Sequence, residues 1–234
     1  MRMARRARRH GMGAVGLLAA LGVAGAAWAA GSEAKENRWE PNIRAFEKKD
    51  KEEPPPQEAI LFAGSSSIVG WDLAKCFPDT KTVNRGFGGS QICDSIHFAD
   101  RIILPHKPKT IVLYAGDNDI AGGKTPERVT KDFQAFVKKV HEVLPKTRIV
   151  FVAIKPSIAR WKLVDKMRDA NARIRAVTEK DKRLDYVDID TPMIGDDGKP
   201  RPELFKKDGL HLNHEGYVLW TGLVKPHLTP EKEE

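Results

Sequence analysis

Residues 59–71 read Ala59-Ile60-Leu61-Phe62-Ala63-Gly64-Ser65-Ser66-Ser67-Ile68-Val69-Gly70-Trp71. The apolar run from Ile60 to Ala63 is bounded upstream by Pro54, Pro55 and Pro56, which predicts a buried strand. Gly64 follows at once, then three serines, then Ile68, Val69 and Trp71 at spacings that suit a helix. A strand passing into a helix through glycine sets small polar side chains at the carboxyl edge of a sheet, where helix amides stabilise an anion. A serine in that turn is a candidate nucleophile. Taken alone, Gly-Ser-Ser-Ser reads first as a helix cap. The choice between the two is made far downstream.

The same alternation recurs along the chain. Thr82–Arg85, Thr110–Tyr114, Arg148–Ile154 and Leu184–Asp188 read as strands. Between them, Ile92–Leu104, the segment opened by Thr125-Pro126, and Trp161–Thr178 read as helices, with Gly216–Leu228 closing the chain. Val129, Phe133, Phe136, Val137, Val140 and Leu144 make the apolar stripe of the second of these. Strands separated by helices at this spacing predict a five-stranded parallel sheet covered on both faces, a three-layer α/β/α sandwich of flavodoxin-like type. Ligands of such sheets bind at the carboxyl edge of the strands.

The first thirty residues read as something other than fold. Arg2, Arg5, Arg6, Arg8 and Arg9 form a basic head, Gly13–Ala27 is an apolar run, and Ala27-Trp28-Ala29 is a cleavage-site pattern. Residues 1–29 are therefore expected to be an export signal, either general or twin-arginine, placing the mature protein in the periplasm or outside the cell. These five arginines have no acids among them, so the mature chain carries a net charge of +3 rather than the full +8. It lacks interleaved aromatic and basic residues, so no nucleic-acid surface is expected. The apolar run is too short to serve as a stable membrane anchor.

Residues 30–58 are expected to be a helix and a Pro-rich spacer. Trp39, Ile43 and Phe46 fall on one helix face that can lie on the body. Lys48 to Glu53 reads as a solvated face or linker. Residues 59–230 form the remaining domain, long enough for a sizeable core.

Four predicted edge loops carry polar residues of chemical interest: Gly64 to Ser67, Asn84 to Gly89 (which runs into the flexible turn Gly86 to Ser90), Gly116-Asp117-Asn118-Asp119, and Asp208-Gly209-Leu210-His211. Asp208 and His211 lie three apart, so one tight turn can let the carboxylate accept from imidazole Nδ1–H and leave Nε2 to take a proton from a hydroxyl. In order and separation the four loops resemble the block pattern of the SGNH (GDSL-type) hydrolases, over about residues 59–228. The resemblance implies Ser66 as nucleophile, with Asp208 and His211 as acid and base. It implies an oxyanion hole made by the Ser66 and Gly89 backbone N–H groups and the Asn118 side chain. The implied reaction is esterase chemistry through an acyl-enzyme, on small esters such as acylated saccharides or lysophospholipids, with no cofactor and no metal.

Several positions depart from that pattern or admit a second reading. Ser65 stands where the family most often has aspartate, so Ser65 and Ser67 remain alternatives for the exposed hydroxyl. Asp117 replaces a small residue and is expected to add negative charge that disfavours anionic substrates. Ile68 takes the place of the last glycine in Gly-x-Ser-x-Gly, which argues against the α/β-hydrolase elbow.

Arg85 and Phe87 are candidates for an acyl pocket, with Phe87 equally readable as core. Trp71, Trp161 and Trp220 read as packing residues, and His97, His106, His141 and His227 as surface or helix residues. Cys76 and Cys93 form either one disulfide or two free thiols. Two other functions compete with the esterase. One is a metal-dependent phosphoesterase using Asp117, Asp119, Asp208, His211 and His214. The other is a carbohydrate-binding module without catalysis on the same fold.

Overall fold

The structure, a computed structural model, describes residues 37–228. The export signal expected over residues 1–29 lies outside them. Five parallel strands form one sheet in the order β2-β1-β3-β4-β5. They are β1 (Ile60–Gly64), β2 (Thr82–Gly86), β3 (Thr110–Tyr114), β4 (Arg148–Val152) and β5 (Leu184–Val187). The chain steps from β1 outward to β2, then back across β1 to β3, so the direction of winding reverses between β1 and β3. Gly64 stands in register with Gly86 on one side and Tyr114 on the other, at the carboxyl end of that switch point. The crevice outside a switch point is where such sheets bind ligands.

Strand alternation sorts the core into two layers. Leu61, Ala63, Ile111, Leu113, Ile149 and Phe151 face one cluster. It is covered by α1 (Glu40–Glu52), α4 (Ile92–His97), α5 (Ala99–Ile102), α7 (Pro126–Val143) and α8 (Val164–Thr178). Ile60, Phe62, Val112, Tyr114, Val150 and Val152 face the other, covered by α2 (Ser66–Val69), α3 (Leu73–Cys76) and α9 (His214–Val224). The remaining short helix, α6 (Asp117–Ala121), follows β3. The three layers and the parallel sheet are those the sequence predicts. Among the described residues no helix is long and apolar enough to cross a membrane.

The differences lie at element ends. The helix expected over Ile92–Leu104 is divided at Phe98, which leaves helical geometry (φ −95°, ψ 4°) while its ring is buried against Phe87. Pro105 then closes the segment in a 3₁₀ turn over Leu104–His106. The helix after β1 is likewise two short pieces, with Asp72 capping the second by accepting from Lys75 N–H. The Lys48–Glu53 run is largely helical rather than linker, because α1 continues to Glu52 and Asp50 reaches back to the buried Arg85. Ile43 of α1 is fully buried, with Trp39 and Phe46 packed beside it, as the helix-face reading requires.

Candidate active site

At Gly64 the chain adopts φ +131°, and a Cβ there would lie 1.9 Å from Tyr114 O. Only glycine fits the end of β1, and its conformation turns the backbone so that Ser66 opens α2. Ser65 and Ser67 are each 1% exposed, whereas Ser66 is half-buried. Ser67 Oγ accepts from Lys155 Nζ at 3.3 Å. Of the three hydroxyls, Ser66 alone is both accessible and aimed at the imidazole. Its Oγ lies 3.1 Å from His211 Nε2, across 145 residues of sequence.

His211 is held from its other side. Its Nδ1 lies 2.7 Å from Asp208 Oδ2, while Asp208 Oδ1 accepts the backbone N–H groups of Leu210 and His211 at 2.9 Å each. The imidazole contact first, and the two amides after it, hold the Asp208 carboxyl well below the usual carboxylate range. The turn exists because Gly209 takes φ +64° and its carbonyl accepts from Ala159 N–H, tying the turn to the loop after β4. Asn213 then caps α9, its Oδ1 accepting from Gly216 N–H and its Nδ2 donating to Glu203 O and Phe205 O.

The other two loops close in around Gly64. Ser90 Oγ donates to Gly64 O at 3.1 Å, and Asn118 Nδ2 donates to Ser90 O at 3.0 Å. Among the described residues the Ser66 and Gly89 N–H groups have no acceptor, and Asn118 Nδ2 keeps its second proton. Three neutral donors are thus available on loops linked through Ser90. The turn expected to be flexible is pinned at both ends: Ser90 is fully buried, and Gly86 sits where a Cβ would strike Ile68 and Val69.

Asp117 corrects the sequence reading. Its carboxylate is buried and accepts from Lys155 Nζ at 3.2 Å and Arg160 Nη1 at 2.9 Å. Burial alone would raise its pKa, but the two cations outweigh burial and lower it. Lys155, 1% exposed, also donates to Tyr114 Oη at 2.9 Å. Burial pulls the ammonium down, yet Asp117 and Tyr114 leave its pKa raised. Two cations and one anion leave this cluster net positive, so Asp117 adds no bar to anionic substrates.

Sequence reasoning missed Lys155 and Arg160. The available signal was a lysine directly after the apolar run of β4, where a buried charge requires a partner.

The phosphoesterase ligand set does not assemble. Asp117 is taken up by its two cations, and Asp119 accepts from Lys124 Nζ at 2.8 Å and from Ile92 N–H. His214 is exposed on the first turn of α9. Arg85 is buried in an ion pair with Asp50 and beside His106 Nε2. With Asp50 it lines a cavity of about 500 Å³ between α1 and β2. His106, read as a surface or helix residue, ends the 3₁₀ turn and is buried there, and burial first, Arg85 second, lower its pKa.

Phe87, Trp71 and Trp220 are core, while Trp161 is half-buried beneath Arg168 and Lys199. Cys76 and Cys93 are free thiols. Cys76 packs with the layer that holds α3 and α9, whereas Cys93 receives a hydrogen bond from Lys124 Nζ beside α4, across the sheet.

The family model described as the GDSL-like lipase/acylhydrolase family matches residues 59–219. No curated protein matches the chain in sequence. Among solved structures, a Streptococcus pneumonia protein provisionally described as a platelet activating factor superposes with TM-score 0.73 at 22% identity, covering 81% of this chain and 92% of its own. A GDSL-like lipase from Bacteroides thetaiotaomicron gives 0.69 at 20%, covering 80% and 96%. An acetylxylan esterase from Geobacillus stearothermophilus gives 0.60 at 13%, covering 76% and 96%. At these identities the likeness is one of fold.

Proposed function

Because the chain belongs to the GDSL-like lipase/acylhydrolase family over residues 59–219, we propose that it is a serine esterase cleaving small carboxylic esters through an acyl-enzyme on Ser66. The observation that carries this reading is the unbroken relay from Ser66 Oγ through His211 to Asp208, at 3.1 and 2.7 Å. Asp208 accepts from Nδ1–H and leaves Nε2 as the lone-pair nitrogen facing the hydroxyl. As Oγ attacks the ester carbonyl, Nε2 takes its proton and the new imidazolium is stabilised by the carboxylate. The proton then passes to the departing alkoxide as the C–O bond breaks. Water, deprotonated by the same nitrogen, releases the acid and restores Ser66.

Charge on the tetrahedral oxygen is met by the Ser66 and Gly89 N–H groups and the free Asn118 Nδ2 proton. Neutral donors fixed before reaction stabilise charge without reorganisation at the moment it forms. Short acyl esters of saccharides or lysophospholipids are the substrates to try first. The basic head and apolar run of residues 1–29 make export part of the same proposal. A mature start near Ala30 in protein from the native host would support it, and intact Met1 on cytosolic protein would overturn it.

A fluorophosphonate probe tests the central reading. It should label the pure protein at Ser66 and fail on Ser66→Ala. Labelling at Ser65 or Ser67, or none at all, would sink the assignment.

A further inference from the structure

The residues just before α1 reach the Gly88–Gly89 turn from 49 and 51 positions away. Trp39 Nε1–H donates to Gly88 O at 2.9 Å, and Arg38 Nη2 donates to Gly89 O at 3.0 Å. The two side chains support each other, with the guanidinium 4.0 Å over the indole. The indole in turn meets Phe87 edge-on at 5.9 Å, and Phe87 is core. Both residues lie outside the segment that matches the family, which begins at residue 59.

Within the turn one backbone bond, from Ser90 N–H to Phe87 O at 3.3 Å, ties its two ends and leaves the central Gly88–Gly89 peptide unheld. Gly88 has open space where a side chain would be, and Gly89 takes φ +74°. Glycine at both positions leaves the intervening peptide free to rotate as a plate. In that plate the Gly88 carbonyl and the Gly89 N–H point to opposite sides, because the peptide is planar and trans. Holding the carbonyl therefore orients the amide.

We propose that Trp39, assisted by Arg38, is a positioning residue that holds the Gly89 N–H in place as an oxyanion donor, making the segment ahead of the family-matched domain part of its active site. The inference rests on the serine-esterase reading above. It predicts that the segment acts on the chemical step rather than on substrate binding. A donor that swings free stabilises only the charge that develops in the transition state less well, so kcat falls while KM stays.

The test is Trp39→Phe in the full chain, which keeps a ring against Phe87 and removes the N–H. The expected result is a fall in kcat of roughly tenfold on p-nitrophenyl acetate, a fraction of the 10²- to 10³-fold loss of a whole donor, with KM within twofold. Amide ¹⁵N relaxation should show the Gly89 order parameter dropping below about 0.6 while that of Leu113 stays near 0.85. Unchanged kcat, or a Gly89 amide as ordered as in the wild type, overturns the proposal. So does a loss of order spread evenly over β3, which would mean general destabilisation. If the wild type cleaves no ester, the serine-esterase reading fails, and the Gly89 relaxation still decides whether Trp39 holds the turn.

Discussion

Arg160 Nη2 donates to Asn118 Oδ1 at 3.0 Å, while the same amide donates from Nδ2 to Ser90 O at 3.0 Å. These two bonds determine which end of the side chain faces which neighbour, and leave one Nδ2 proton for a ligand. Arg160→Ala should free the amide to rotate and lower kcat about tenfold, less than the 10²- to 10³-fold expected for Asn118→Ala. Steady-state kinetics of both variants check the order. Equal losses would mean that Arg160 does more than orient Asn118.

Removal of the relay should follow the division of labour within it. Ser66→Ala and His211→Ala should each lower kcat on the order of 10⁶-fold, because nucleophile and base act as one unit. Asp208→Asn keeps the shape but loses the charge that stabilises the imidazolium, a loss of about 10⁴-fold. Ser65→Ala and Ser67→Ala, buried on either side, should retain most activity. Hydrolysis of p-nitrophenyl acetate by all five gives the ranking.

The buried Asp117–Lys155 pair should mark the stability profile. Asp117→Asn leaves Lys155 charged with no anionic partner, a loss of about 3–5 kcal/mol at neutral pH. The native pKa of Asp117 is lowered, so its contribution is present above the unfolded value of about 3.9 and is lost as pH falls through the native one. Denaturant melts of wild type and Asp117→Asn should therefore converge below about pH 4. A constant difference down to pH 2 would contradict the pairing.

Two thiols should titrate in denatured, unreduced protein, since Cys76 and Cys93 are free on opposite layers. Burial, the larger influence, and Asp94 raise the Cys93 pKa. Alkylation of Cys93 in the native protein at pH 7 should accordingly be slow, which mass spectrometry of the modified peptides measures.

The sheet was legible because β1, β3 and β4 carry continuous apolar runs set between turn residues, while β2, with Val83 its one large apolar side chain, was legible from its place in the strand–helix alternation. The Asp208–His211 contact was legible because the two residues share one turn, whereas Ser66 was singled out among three serines only by the resemblance of the four loops to the hydrolase pattern. What escaped the sequence reading is tertiary in origin. The partners of Asp117 lie 38 and 43 residues away in the loop after β4, and no periodicity links them. Trp39 was readable as part of an apolar helix face, but its indole N–H finds Gly88 only after α1 docks. The break at Phe98 was hidden for a related reason: the residue suits a helix locally, and its place in the core overrides that preference.

Ser66 emerges from the ribosome long before the turn that carries its base. At 5–20 residues per second the intervening 145 residues take roughly 7–30 s to synthesise. Through that interval the nascent chain holds the hydroxyl without the imidazole. The relay can therefore close only once residue 211 has been made. A chain arrested before residue 211 lacks the imidazole, however well its first strands have formed.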